Sequence, residues 1–254
     1  MKLQKLKWLF KTRVPINGFW GVFDSFEEAS HAGPQRKNLG YDAARTGGWY
    51  REWLDSVQND DYAMLFWFEK ALLAIKTPIH VVEIGGHVGI AYYSFEKVIS
   101  YPPELKWIIV DVPSVTKAGR KLALERNKTN IAFINSFAEV DEPVDILLAS
   151  GSLQYVPGEI LPDQIRKMAR KPNHIIINKT PVTNSTGYIT LQNLGAYCCY
   201  RIHSYKELVE PFLLMGYELV NSWKIERQVI IPGHPERKVD GYWGYYLRKK
   251  GENI

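Results

Sequence analysis

Short apolar runs alternate with segments of helical period over most of the chain after residue 78. The apolar runs have the length and β-branched content of buried strands, and helical periodicity follows most of them. Because strands that alternate with helices form parallel sheets, this pattern predicts a doubly wound α/β domain. The predicted strands cover residues 80–84, 106–111, 131–134, 144–150 and 174–178, and the predicted helices cover residues 88–99, 114–126, 159–170 and 204–215.

Two further runs of alternating apolar and polar residues, 217–223 and 242–248, complete the pattern. A proline- and glycine-containing turn at 232–235 separates them, and no helical segment does, so we expect them to pair antiparallel. The predicted fold is therefore a Rossmann-like, seven-stranded, mostly parallel sheet with an antiparallel final hairpin.

Helical signals dominate the residues before the first predicted strand. Ser25 and Glu28 form a capping box, which predicts the start of a short helix. Further predicted helices cover residues 49–58 and 60–75, and a glycine-containing loop covers residues 31–48. We therefore predict an N-terminal helical extension over residues 1–76 and a Rossmann-like domain over residues 77–254. Such an extension is expected to cover the carboxyl edge of the sheet.

A glycine-rich turn follows the first predicted strand. Gly85, Gly86 and Gly89 lie within five residues, and glycine permits positive φ and lets the backbone approach a ligand closely. The dinucleotide pattern Gly-x-Gly-x-x-Gly is not met, because His87 stands where the second glycine should be. Glu83 precedes the first glycine by two positions. This order is similar to the first motif of class I S-adenosylmethionine (SAM) methyltransferases, acidic-x-Gly-x-Gly-x-Gly.

A second acidic residue, Asp111, ends the next predicted strand. An acid in this position can accept hydrogen bonds from both ribose hydroxyls of a nucleotide. The glycine turn, the crossover helix and the acid together indicate a nucleoside-containing cofactor. The alternative is a strand-to-helix turn that binds no ligand.

Charge and composition narrow the class of partner. The net charge is +5, and acidic residues are interleaved with the basic ones, so the sequence predicts no nucleic-acid partner. Aromatic residues make up 13% of the chain, which favours planar or sugar-like ligands but also suits core packing. The histidines form no ligand-like cluster, so we expect no metal.

Localisation signals are few. The two cysteines, Cys198 and Cys199, are adjacent and give no disulfide framework, which predicts a cytoplasmic protein. Residues 1–14 form a basic amphipathic segment. That segment either packs on the domain with a solvated basic face, which we favour, or makes peripheral contact with the inner face of an anionic membrane.

Several longer stretches resemble one known family, and they span residues 20 to 248. The chain is similar to the SAM-dependent methyltransferases found with bacterial lipopolysaccharide, O-antigen and capsule biosynthesis genes. The matching stretches are Trp20-x-x-Phe-x-Ser-Phe-Glu-Glu-Ala, Glu83-Ile-Gly-Gly-His-Val-Gly, Ala149-Ser-Gly-Ser-Leu-Gln-Tyr, Asn178-Lys-Thr-Pro, Thr190-Leu-Gln-Asn and Tyr200-Arg-Ile. The resemblance implies SAM as the cofactor and a surface-glycan pathway, and the departure from its pattern is His87.

Candidate cofactor residues follow from the fold and the resemblance. The glycine turn is expected to meet the methionine part of SAM, Asp111 the ribose, and the residues after the third predicted strand the adenine. The loop after the fourth predicted strand lies where the methyl group should emerge. The candidate cofactor-binding residues are Glu83, Gly85, Gly86, His87, Gly89, Asp111, Val112, Ser136, Phe137, Ser150, Gly151 and Ser152.

Most candidate acceptor residues lie beyond the fifth predicted strand, and Tyr155 lies in the loop after the fourth. Their amides and arginine suit a hydroxyl-rich or anionic acceptor, such as a nucleotide sugar or an oligosaccharide precursor. The candidates are Tyr155, Lys179, Gln192, Asn193, Tyr200 and Arg201. His203 is the first candidate for a catalytic base, because it adjoins this group and histidine titrates near neutral pH, and His87 is the second. Arg201 could equally pair with a structural acid.

The predicted activity is therefore O-methylation of a sugar or glycan precursor by SAM. The absence of an Asp-Pro-Pro-Tyr-type motif favours oxygen over nitrogen as the methyl acceptor. The alternative is a catalytically inactive SAM-fold protein that scaffolds a glycan biosynthesis complex, and His87 in the glycine turn motivates it. A nicotinamide-dependent enzyme would need the missing Gly-x-Gly-x-x-Gly pattern.

Overall fold

The computed structural model describes residues 14–33, 51–76 and 78–251. The predicted amphipathic segment 1–14, except Val14, and most of the predicted loop 31–48 lie outside these residues. The strands are β1 (Phe19–Phe23), β2 (Ile79–Ile84), β3 (Leu105–Val110), β4 (Ile131–Ile134), β5 (Ile146–Ser150), β6 (His174–Thr183), β7 (Tyr188–Asn193), β8 (Tyr197–Ser204), β9 (Tyr217–Ile225) and β10 (Tyr242–Lys249). The helices are α1 (Phe26–Ala32), α2 (Tyr62–Ala74), α3 (Ile90–Phe95), α4 (Pro113–Glu125), α5 (Leu161–Lys167), α6 (Tyr205–Leu208) and α7 (Glu210–Leu214).

Seven of these strands form the predicted sheet, in the order β4-β3-β2-β5-β6-β10-β9. The first five are parallel, and β10 runs antiparallel to both β6 and β9. Central strands such as β2 and β5 are almost entirely buried, which explains why they read as continuous apolar runs. The predicted mostly parallel sheet with an antiparallel final hairpin is confirmed.

Three further strands were not predicted. β1, β7 and β8 form an antiparallel unit, and the end of β6 pairs in parallel with β8, which extends the sheet to ten strands. The prediction of a helical extension before residue 77 is therefore incomplete, because β1 belongs to the sheet. The division of the chain near residue 76 stays a prediction.

The predicted helices differ mainly in their lengths. Ser25 caps α1 as expected, with its Oγ accepting from the Glu28 N–H at 3.0 Å. The helix predicted over 49–58 is wrong for the described residues, which hold only a 3₁₀ turn, Arg51–Trp53. The helix predicted over 204–215 is divided into α6 and α7 just before Pro211, because proline has no N–H to donate within a helix.

Two cores lie on opposite faces of the sheet. One packs α2, α3 and α4 against the sheet around Trp107, which is fully buried. The ring of Phe68, from α2, lies 5.1 Å from the ring of Trp107 and 5.8 Å from that of Phe95. The other core packs α5, α6 and α7 around Phe212. Because α2 shares a core with the sheet, it fixes the position of the residues that precede it.

Truncating Phe68 should destabilise the whole domain. We expect Phe68→Ala to lower the free energy of unfolding by about 3–5 kcal/mol, since it removes a fully buried ring from this core. The measurement is urea unfolding followed by circular dichroism. Phe66→Ala on the same helix is the control, because Phe66 is 48% exposed, and its loss should cost less than about 1 kcal/mol. Equal losses for the two variants would contradict the placement of α2.

Candidate functional site

The glycine turn after β2 is built on backbone conformations that side chains rarely adopt. Gly85 has φ +69° and Gly89 has φ +100°. A Cβ on Gly85 would lie 2.2 Å from the Cβ of Ser152, and a Cβ on Gly86 would lie 2.5 Å from Oε2 of Glu83. Glycine is therefore required where the turn passes under the loop after β5. Gly89 packs against Ile131 and lines neither of the cavities described below.

His87 takes a left-handed conformation, with φ +56°, at the position where the motif has glycine. Its N–H donates to Oδ2 of Asp111 at 2.9 Å, and the N–H of Val112 donates to Oδ1 of the same carboxylate at 2.7 Å. One acid thus joins the glycine turn to the end of β3. The histidine does not disrupt the turn.

Two cavities adjoin at this edge of the sheet. The first, which we call the Asp111 cavity, has a volume of about 710 Å³. Seven predicted cofactor residues line it: Gly85, Asp111, Val112, Ser136, Phe137, Gly151 and Ser152. Asn135, which was not predicted, also lines it and donates to the backbone oxygen of Asp111 at 3.0 Å. The cavity thus combines two acids, Asp111 and Glu159, with apolar walls, and such a lining suits a nucleoside.

The second cavity, which we call the Lys179 cavity, has a volume of about 420 Å³. The predicted residues that line it are Glu83, Gly85, Gly86, His87, Ser150, Gly151, Tyr155, Lys179, Gln192 and Tyr200. Gly85, Gly151 and Tyr155 line both cavities, so the two meet at these residues. Tyr155 donates from its hydroxyl to Oε1 of Gln192 at 2.6 Å.

An ion pair that was not predicted forms part of the wall of the Lys179 cavity. Lys179 Nζ lies 2.7 Å from the carboxylate of Asp61, a buried residue just before α2. Asn178 donates to the same carboxylate at 3.0 Å, and Trp223 donates to Oδ1 of Asn178 at 2.9 Å. Asp61 follows Asp60 directly, and such acids are typical of an ordinary helix N-terminus, so no local pattern distinguishes Asp61 as a site residue.

Backbone strain is concentrated at this cavity. Four described residues other than glycine have positive φ, and three of them, Asn17, His87 and Lys179, line the Lys179 cavity. Lys179 lies at a bulge where β6 pairs with β10. Strained conformations of this kind commonly mark ligand sites.

Besides Gly89, three predicted residues lie outside both cavities. Arg201 donates to the backbone oxygen of Gly158 at 2.9 Å and lies over the ring of Phe26. Asn193 donates to the backbone oxygen of Val14 at 2.8 Å. His203 is 2% exposed and lines only a cavity of about 10 Å³, shared with Arg201. The structure places these three residues away from the walls of the two cavities, and their roles in acceptor binding and catalysis stay predictions.

Burial changes the ionisation of three groups. It raises the pKa of Glu83 to about 8, against the hydrogen bond that Trp107 donates to this carboxyl at 3.1 Å. It lowers the pKa of His87 to about 4 and that of His203 to about 3. At neutral pH Glu83 is therefore mostly protonated and both histidines are neutral. The lowered pKa makes His203 a weaker base than an exposed histidine.

The described residues contain no group of three or more His, Cys, Asp or Glu side chains that could hold a metal ion. Nor is any helix among them long and apolar enough to cross a membrane.

Comparison with known proteins identifies the fold. A proposed sarcosine dimethylglycine methyltransferase from Galdieria sulphuraria matches with a TM-score of 0.51 and 10% sequence identity, over 74% of this chain and 84% of that one. TehB from Haemophilus influenzae matches with a TM-score of 0.50 and 14% identity, over 76% and 64% of the two chains. The chain has the fold of the class I SAM-dependent methyltransferases.

Other likenesses are weaker. The glycopeptide N-methyltransferase MtfA, crystallised with SAM, matches with a TM-score of 0.49 and 10% identity, over 77% of this chain and 96% of that one. No family model matches the chain, and no curated protein matches it in sequence.

The raised pKa of Glu83 makes a testable contribution to stability. In the unfolded chain this carboxyl ionises near its ordinary pKa of 4.5, whereas in the folded protein it keeps its proton up to about 8. Between these two pKa values the folded state binds more protons than the unfolded state. The stability contribution of Glu83 is therefore complete below pH 4.5 and is lost as pH rises towards 8. As pH rises through this window, we expect the unfolding free energy of wild type to fall relative to that of Glu83→Gln. The expected fall is up to about 1.4 kcal/mol per pH unit.

The measurement is urea unfolding of both proteins at several pH values inside this window. Gln keeps the shape of Glu and an oxygen to accept the Trp107 hydrogen bond, so the variant serves as its own packing control. Parallel curves for the two proteins would contradict the protonated state of Glu83.

Proposed function

We propose that this chain is a SAM-dependent methyltransferase that methylates an oxygen of a sugar or glycan precursor. The observation that carries the proposal is that two cavities of different character meet at Gly85, Gly151 and Tyr155, on the carboxyl edge of the sheet. Ligands of open α/β sheets bind at this edge.

The Asp111 cavity fits the adenosine part of SAM. Its apolar side chains, Val112 and Phe137 among them, suit the adenine ring, and Asp111 suits the ribose hydroxyls. Asp111 already accepts two backbone N–H groups, and carboxylate oxygens have lone pairs left for further donors.

The Lys179 cavity fits the methionine part and the methyl acceptor. Its glycine turn lets the backbone approach a ligand, and the neutral His87 adds no positive charge that would repel a cationic sulfonium. When bound, SAM supplies an electrophilic methyl group. The chain's own contribution is to hold the acceptor oxygen in line with that methyl group and to exclude water.

A general base helps an alcohol acceptor, and His87 keeps that proposed role because it lines the cavity and is neutral. Its lowered pKa makes it a weak base, so we expect positioning to contribute more to the rate than proton abstraction.

The acceptor class rests on the cavity lining and on the sequence resemblance. Amide, phenol and indole groups surround the open part of the Lys179 cavity, including Gln154, Gln192, Tyr155 and Trp53. Such groups suit hydroxyl-bearing rings, and the resemblance to surface-polysaccharide methyltransferases supports a glycan precursor as the substrate. The inactive-scaffold alternative was based on His87 in the glycine turn. Because His87 leaves that turn intact, it no longer favours the alternative.

The cofactor is the first thing to test. We expect calorimetric titration of the protein with SAM and with S-adenosylhomocysteine (SAH) to give dissociation constants on the order of micromolar. NAD⁺ is the control ligand and should not bind. Folded protein that binds neither SAM nor SAH would refute the proposed function and favour the scaffold.

Gly151→Ala tests whether one ligand spans both cavities. Gly151 has φ +64° and lines both cavities, and a Cβ there would meet nothing closer than the Lys179 Cβ at 3.7 Å. The added methyl group would therefore enter the shared space, and we expect SAH affinity to fall about tenfold or more.

Gly158→Ala is the matched control. Gly158 has φ +76° in the same loop, lines neither cavity and has open space at its Cβ position. Both variants carry the same backbone strain, so only the loss of shared space distinguishes them. Equal SAH affinities for the two variants would mean that no ligand passes Gly151.

A further inference from the structure

One polar group in the Lys179 cavity has no partner. Gln154 lies in the 3₁₀ turn Leu153–Tyr155 that follows β5, and it is 3% exposed. Its Oε1 is buried and makes no hydrogen bond to any residue that the structure describes. Turning the amide over would only put an unpaired NH₂ group in place of the oxygen.

An unpaired buried carbonyl normally costs stability, so its persistence needs a reason. The backbone of the turn does not need the Gln154 side chain. The turn is closed by the Tyr155 N–H, which donates to the Ser152 backbone oxygen at 2.9 Å. That bond does not involve the Gln154 side chain. The amide is thus positioned but unused, as expected for a group whose partner is a ligand.

A second amide lines the same cavity from another element. Gln192 is buried on β7, and its Oε1 accepts the hydroxyl proton of Tyr155 at 2.6 Å. That contact fixes the amide, so its NH₂ group is positioned as a donor. Gln154 and Gln192 therefore offer acceptors and donors on the wall of one cavity, which matches hydroxyl groups, since each hydroxyl both donates and accepts.

The charged groups of the cavity bear on whether its ligand carries a phosphate group. Among the lining residues whose side chains are described, the cations are Lys179 and Arg227. Lys179 is paired with Asp61 at 2.7 Å, and Arg227 lies 3.4 Å from Asp60. Arg201, the residue expected to bind phosphate, lies outside the cavity. Both described cations of this wall thus lie against a carboxylate, which offsets their attraction for a phosphate.

We propose that Gln154 and Gln192 select a neutral, hydroxyl-bearing acceptor ring, with the Gln154 amide hydrogen-bonded to one of its hydroxyl groups. This inference rests on the proposed function and narrows it, because it favours an uncharged glycan unit over the phosphate-bearing part of a nucleotide sugar. Gln154 is then a specificity-determining residue of the acceptor site.

The test compares Gln154→Leu with wild type in three measurements. Leucine has a similar volume and no polar atom, so the ligand-free variant should be at least as stable as wild type in urea unfolding. Its SAH affinity should be unchanged in calorimetry. Saturation-transfer NMR with the methyl glycosides of glucose, galactose and rhamnose should show contacts with wild type that fall about tenfold or more in the variant. Gln228→Leu, on an exposed residue that lines neither cavity, is the control.

Each outcome bears on a separate claim. A destabilised Gln154→Leu protein would make the amide structural and overturn the proposal. A loss of SAH affinity in the variant would assign the amide to the methionine ammonium and overturn it as well. Wild type that contacts none of the glycosides, or that prefers glucose 1-phosphate to methyl glucoside, would also refute it. The NMR spectra are recorded with and without SAH, so failure of SAH binding would overturn the proposed function alone.

Discussion

The Asp61–Lys179 ion pair holds the segment before β2 against the carboxyl edge of the sheet, and the wall of the Lys179 cavity depends on it. The carboxylate also accepts from Asn178, so the pair is embedded in hydrogen bonds. A buried pair of this kind contributes little net stability, but removing one partner leaves an uncompensated charge. Its role is therefore better described as fixing one geometry, since one partner, Lys179, also has a left-handed backbone conformation.

Local patterns were enough to predict the centre of the fold and half of the site. Short stretches of sequence predict both the glycine turn and Asp111, because a strand, a turn and the start of a helix follow each other directly in the chain. The seven-stranded sheet followed from the same alternation. Asp61 could not be found in this way, since its partner stands 118 residues further along the chain and no local spacing relates the two.

Some predicted acceptor residues line the Lys179 cavity and others do not, and the physical reason is the two-residue period of a strand. Tyr200 and Arg201 are adjacent in the sequence but point to opposite faces of β8, so only Tyr200 lines the cavity. His203 shares the face of Arg201, and Asn193 is separated from Gln192 in the same way. Without the prediction that these residues form strands, neighbours in sequence were treated as neighbours in space.

The pairing of β1 with β7 has a consequence for how the protein is made. Trp20 and Thr190 contact each other across 170 residues of chain, so β1 leaves the ribosome long before its partner exists. A nascent chain therefore carries an unpaired edge strand while the central sheet is being synthesised, and the contact closes late and at a high entropic cost. The contact that β1 makes with β7 can thus form only after β2 to β6 have been synthesised.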